Sequence, residues 1–213
     1  ALNAGKGIEI ALFGRMVADE PSLNSDASAQ VAHAISTHKA ENEYDYYTAI
    51  DDRLPEGQQG AGMIGTIEFN SSTLYRYATI AAHDLVNNLD DKAVAVKAII
   101  EFIRAFVFSM PSGKQNTFAN NTPPYALIVS IRQDQPINLV GAFETPVKAG
   151  EGGYLKKSVE ALADYAKCLY DNFVEKPYRT YITSMNDLLN DLGENMDFSQ
   201  LLNSTEQTIN NLL

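Results

Sequence analysis

The sequence holds one cysteine, three histidines, and 16 basic residues against 27 acidic ones in 213. Each shortage removes a class of function. A lone Cys168 closes no internal disulfide, and without a second cysteine no zinc or iron–sulfur cluster of the usual kind is available. No long apolar run is present either. The most apolar window, Ala93 to Met110, is broken by Lys97, Glu101 and Arg104, and falls short of the ~20 apolar residues a membrane span needs. The start, Ala1-Leu2-Asn3-Ala4-Gly5-Lys6-Gly7, shows no signal-peptide pattern, and it lacks an initiator methionine, which fits a fragment of a longer chain. No Gly-x-Ser-x-Gly elbow, no Cys–His signature and no Gly-x-Gly-x-x-Gly fingerprint appears. These absences point to a soluble protein of a reducing, cytoplasmic setting, with no cofactor and no membrane partner.

The deficit of basic residues gives a net charge of −11. Taken whole, that argues against a polyanionic partner, since nucleic-acid binding draws on phosphate neutralisation. The distribution changes the argument. Residues 41–56 carry a net −5 and residues 180–213 another −5, so the remainder is close to neutral at −1. Fields are screened over ~8–10 Å at physiological salt, and a near-neutral body can still present a local basic groove.

What is present suits one sizeable domain or two small ones, with 45% hydrophobic and 20% charged residues. Two helices are expected. One runs from Asp91 to Phe108, with Val94, Ile99, Ile103, Phe106 and Met110 along its apolar stripe and Pro111 beyond it. The other runs from Tyr154 to Phe173, with Leu155, Val159, Leu162, Ala166, Leu169 and Phe173 as its seam. A third covers Asp197 to Leu213 through Phe198, Leu202, Ile209 and Leu213. Alternation predicts strands at Gly7–Phe13, Gln30–His38, Leu74–Ile80 and Tyr125–Ile131, the last forming an antiparallel hairpin with Ile137–Phe143. Helices mixed with hairpins read as α+β, helices on an antiparallel sheet. Glu41 to Glu68 fits no element: Tyr44, Tyr46, Tyr47 and Ile50 stand among acids, followed by Pro55, Gly57, Gly60, Gly62 and Gly65. Such Gly-rich excursions between strands are functional protrusions or flexible loops.

Candidate chemistry is sparse. His33 and His38 point to opposite faces of a strand, which disfavours a shared metal, and the adjacent Asp51-Asp52 are common on solvated turns. Ser112-Gly113-Lys114-Gln115-Asn116-Thr117 resembles a phosphate loop but lacks the first glycine, and Gln115 stands where Ser or Thr would coordinate magnesium. It is either an ordinary polar loop or one whose cation and amides meet phosphates and base edges. Tyr46, Tyr47 and Ile50 either stack on or wedge between bases, at ~1–3 kcal/mol per base, or pack back beneath the loop. Composition alone favours the second.

Several collinear motifs carry a family likeness. Gly7-Ile8-Glu9-Ile10-Ala11-Leu12-Phe13-Gly14-Arg15-Met16 resembles the "DIAL-x-GRM" segment of the CasC family, the backbone subunit of the type I-E CRISPR Cascade complex. The likeness continues through Val31–His38, Tyr46–Asp52, Gly65–Ser71, Leu74–Ala78, Gly113–Thr117 and Gly141–Glu144, followed by Val147-Lys148. It spans residues 7 to about 175, and the family's first strand and its Lys/Arg/Ser-rich segment have no counterpart in it.

The resemblance implies a non-catalytic subunit that binds CRISPR RNA. Copies would stack along the guide with other Cascade subunits, and would meet target DNA through guide pairing. It implies a ferredoxin-like or RRM-like palm with helices on one face of its sheet, over residues 1–213. A protruding thumb hairpin would be inserted at about 41–68, and a C-terminal helical tail would cover about 185–213. The implied RNA-binding residues are Arg15, Met16, Tyr46, Tyr47, Ile50, Lys114, Gln115 and Asn116, with no metal site. Tyr46 replaces a Trp found in some members and Tyr47 a Phe, both substitutions keeping an aromatic face. The rival from another class is a metal-dependent endoribonuclease on the same fold, using His33 or His38 with Asp51 or Asp52. A third reading is an assembly fragment whose RNA contacts lie elsewhere.

Overall fold

A six-residue apolar run is too short for its period to separate helix from strand. The computed structural model, which describes residues 7–50 and 61–213, resolves the first such run, Ile8–Phe13, as a helix, α1. The expected strand at Gly7–Phe13 is thus corrected: the run makes helical bonds, Ala11 N–H to the Gly7 carbonyl at 3.0 Å and Gly14 N–H to the Ile10 carbonyl at 2.9 Å, and buries Ala11 and Leu12. Gly14 ends α1 at φ +78°, where a Cβ would also lie 2.8 Å from the Ser25 carbonyl oxygen, so only glycine fits.

The Gln30–His38 segment breaks into two short strands, β1 (Ala29–Val31) and β2 (Ile35–Ser36). The 41–68 excursion contains two long strands, β3 (Glu43–Ile50) and β4 (Ala61–Phe69), paired antiparallel. Leu74–Ile80 likewise splits, into β5 (Leu74–Tyr75) and β6 (Ala78–Ile80), which pair with β2 and β1 respectively.

Two helices follow, α2 (Ala82–Leu89) and α3 (Lys92–Phe108), separated by Asp90 in the left-handed region at φ 52°. Asp91 caps α3, its Oδ1 accepting the Val94 N–H at 3.0 Å. The buried stripe of α3 is Ala95, Val96, Ala98, Ile99, Ile100 and Val107, a rotation from the expected one that leaves Val94 on the surface. A four-residue turn of helix, α4 (Gln115–Phe118), precedes β7 (Ala126–Ile131).

The predicted partner of β7 is also corrected. Ile137–Phe143 is not a strand, and its second half, Val140–Phe143, is a 3₁₀ turn packed on α5 (Leu155–Asn172). β7 instead pairs antiparallel with β8 (Arg179–Ser184), which pairs parallel with β9 (Glu194–Asn195), and α6 (Phe198–Leu212) ends the chain. Arg132 explains the diversion. Its guanidinium binds Asp134, the Gln135 carbonyl and the Glu175 carbonyl, tying the turn after β7 to the end of α5.

The β7–β8–β9 sheet has helices on both faces, not one. Leu127, Val129, Ile131 and Tyr181 pack on Ile100, Leu201 and Leu202 of α3 and α6, while Ala126, Ile128 and Ile182 pack on Val159 and Ala163 of α5. The register, Val129 opposite Tyr181 and Ile128 opposite Ile182, sends the two sets to opposite faces. A separate core joins α1, α2, α3 and Ala29 of β1. The described strands form four separate sheets, so the architecture is mixed α+β with six helices and no continuous antiparallel sheet. Leu189, Leu201 and Leu202 in the acidic C-terminal segment are fully or nearly fully buried, each contributing ~1.5–3 kcal/mol.

Candidate nucleic-acid interface

The β3–β4 hairpin is the main exposed apolar feature of the described residues. Tyr44, Tyr46, Tyr47, Met63 and Ile64 are all exposed on it. Its described strands carry Glu43, Asp45 and Glu68 and no basic residue, so these strands suit uncharged flat groups better than phosphates. Register fixes its two faces. Tyr44, Tyr46 and Thr48 lie opposite Glu68, Thr66 and Ile64 on one; Asp45, Tyr47 and Ala49 lie opposite Ile67, Gly65 and Met63 on the other.

Tyr46 and Tyr47, expected to act together as one wedge, therefore occupy opposite faces. Tyr46 is 66% exposed, whereas Tyr47 lies over Gly65, where a Cβ would come 2.6 Å from its hydroxyl oxygen. Glycine opposite an aromatic residue lets the ring cover the facing strand. Ile50 ends β3 at a register shift between Ala49 and Ile50; its side chain, like the Asp51-Asp52 pair, lies outside the described residues.

The base of the hairpin is anchored by polar and aromatic contacts. Lys39 Nζ lies 2.8 Å from Glu41 Oε1, and this mutual hydrogen bond raises the lysine pKa and lowers the glutamate pKa. Asn70 donates to Asn42 at 2.8 Å. Phe69, the last residue of β4, meets Phe118 edge-on at 5.4 Å. Phe118 belongs to α4, so this contact brings the Gly113–Thr117 loop to the foot of the hairpin. Lys114 takes a left-handed conformation, φ 55°, and its ammonium stands 5.9 Å from the Phe118 ring centroid. Gln115 and Asn116 begin α4, and both are exposed.

Arg15 and Met16 divide. The Arg15 guanidinium donates from Nε and Nη2 to the Leu23 carbonyl at 2.9 and 2.7 Å, clamping the 16–25 loop, so two of its five N–H donors are used internally. Met16 is 85% exposed. His38 is buried and stacked on Tyr154 at 3.7 Å between centroids. Its Nε2 accepts the Thr73 N–H at 3.1 Å, and Nδ1 lies 2.8 Å from the Lys39 carbonyl, which places the proton on Nδ1. Both nitrogens are thereby occupied. Among the described residues no three or more His, Cys, Asp or Glu gather as metal ligands, and no helix is long and apolar enough to cross a membrane.

A protruding aromatic hairpin with a polar loop at its foot agrees with the likeness read from the motifs, and comparison with known proteins decides the family. The profile of the CT1975-like proteins matches residues 1–211. The chain belongs to that family. No curated protein matches it. Among solved structures it is similar to a chain of a "CRISPR RNA-guided surveillance complex, pre-nicking". There the TM-score is 0.88 and the identity 34%, over 96% of this chain and 56% of that one. It is also similar to a chain of a "CRISPR RNA-guided surveillance complex", with TM-score 0.84 and 34% identity, over 94% of this chain and 78% of that one. The chain thus spans just over half the length of the first of these.

Within this CT1975-like fold, the structure brings Lys114, Gln115 and Asn116 to the hairpin that bears Tyr46 and Tyr47. What the motifs did not reveal is the link itself. Phe69 and Phe118 are 49 residues apart in the chain and meet only through the fold. The strand pairing of β3 with β4 was implied by the resemblance, as a thumb hairpin, and not by the residue pattern, where acids and glycines mask the alternation.

Proposed function

We propose that this chain is part of a non-catalytic backbone subunit of a type I-E, Cascade-type surveillance complex. It binds CRISPR RNA, oligomerises along the guide in the cytoplasm beside other Cascade subunits, and meets target DNA through guide pairing. The β3–β4 hairpin is the thumb that kinks the RNA. The body, with the β7–β8–β9 sheet and its helices, serves as the RRM-like palm of the longer subunit, with Met16 and Lys114–Asn116 on its RNA side. The observation that carries this reading is the hairpin: exposed aromatic side chains on a protrusion rich in acids. Such a surface meets stacked bases better than it meets phosphates. Similarity to chains of RNA-guided surveillance complexes supports it. The occupied ring nitrogens of His38 favour this reading over the ribonuclease.

The test is the pair of substitutions Tyr46→Ala and Tyr47→Ala in one protein. Guide RNA assembled with the double variant is expected to lose protection against added ribonuclease. Protection equal to that given by the unaltered chain would refute the thumb reading.

A further inference from the structure

One face of the hairpin carries a residue that the family motifs do not single out. Tyr44 lies on the same face as Tyr46, two positions along β3, and the two are 65% and 66% exposed. Residues at i and i+2 of a strand are ~6.6–6.8 Å apart. Stacked bases repeat at ~3.4 Å, so two rings at that separation leave room for one base between them. Among the described residues neither phenol has a hydrogen bond, ion pair or ring contact, so neither ring is committed to a partner within the protein. Tyr47, by contrast, is drawn over Gly65 on the other face and has no tyrosine two positions away.

We propose that Tyr44 and Tyr46 form a slot for a single unpaired base of the bound RNA, a contact that rests on the RNA-binding reading above. Glu68 is the cross-strand partner of Tyr44 and shares the face of the two tyrosines, whereas Asp45 adds its charge from the opposite face of the same strand. These carboxylates repel the phosphate backbone, so the nucleotide enters base first. Thr66, opposite Tyr46, and Thr48 beyond it keep the neighbouring positions small. The two stacked faces make the slot tolerant of base identity, because every base has a π-face.

The experiment uses the full chain and single-stranded RNA carrying 2-aminopurine at successive positions, with a matched RNA abasic at each of those positions. Tyr44→Thr removes the ring and keeps a good strand former, and Tyr44→Phe keeps the ring. The unaltered chain is expected to quench 2-aminopurine at a defined position. Tyr44→Thr should relieve that quenching and weaken binding about five- to a hundredfold. Tyr44→Phe should preserve both. RNA abasic at that position should bind the unaltered chain and Tyr44→Thr equally well. Unchanged quenching and affinity in Tyr44→Thr, with Tyr46→Thr impaired, would overturn the slot while leaving the hairpin as an RNA contact. Full affinity in both threonine variants, or no binding by the unaltered chain, would overturn the slot and the thumb reading together.

Discussion

Tyr75→Phe removes one oxygen from a position where the structure gives that oxygen two tasks. The Tyr75 hydroxyl donates to Asn138 Oδ1 at 2.9 Å and accepts the Leu139 N–H at 3.1 Å. Its ring lies 5.3 Å from Phe143, so the residue holds the 137–143 segment against the body. Phenylalanine keeps the packing and leaves the Leu139 N–H without a partner, at a cost of ~1–3 kcal/mol. At ~2–4 °C per kcal/mol for a chain of this size, Tm should fall by about 2–12 °C. A pH effect should accompany it. Burial pushes the Tyr75 hydroxyl from 10.0 up to about 12. A raised pKa in the folded state means that its contribution is complete below pH 10 and is lost as pH rises from 10 towards 12. Part of the ring meets solvent, which reduces that contribution to ~1–2 kcal/mol. Thermal unfolding followed by circular dichroism between pH 8 and about 12 measures both effects. Tyr77 and Tyr170, also raised by burial, add a decline common to both proteins, so the difference between them is the reading. The same Tm at pH 8 and the same alkaline decline in Tyr75→Phe would refute the reasoning.

Two further outcomes are expected. Thr205 is fully buried in α6 and its hydroxyl has no hydrogen-bond partner, so Thr205→Val should leave the fold intact and raise stability by ~1 kcal/mol in urea unfolding; a loss of more than ~1 kcal/mol would show that the hydroxyl is satisfied. Incubated with magnesium or manganese, the chain should leave guide-length RNA uncut; cleavage that disappears in His33→Ala would establish the ribonuclease alternative.

The long periodic segments were legible because repetition over four or five turns leaves no other period that fits. α3, α5 and α6 lie within a residue or two of their expected ends. Their inward faces were less legible. Phe173, read as the end of the α5 seam, is 82% exposed: the α5 side chains that pack on the sheet are Val159 and Ala163, and Phe173 lies just beyond the end of the helix. Long-range pairing left almost no local trace. β8 was missed because Arg179–Ser184 alternates only weakly, and its partner lies some fifty residues earlier. The nearer Ile137–Phe143 looked more strand-like, yet Pro136 and the Arg132 contacts divert it. α2 was missed because its eight residues bury only Leu85. The interface followed the same rule. The motifs supplied residue types and positions, whereas the faces they share depend on 43–50 being a strand, whose alternation separates Tyr46 from Tyr47 and sets Tyr46 beside Tyr44.

The central claim is that copies of this chain assemble along a guide RNA. Sedimentation velocity of the unaltered chain with guide RNAs of increasing length tests it most directly. The number of chains bound should rise stepwise with RNA length, one copy for each fixed increment. A count that stays at one or none, whatever the length of the RNA, would contradict the account.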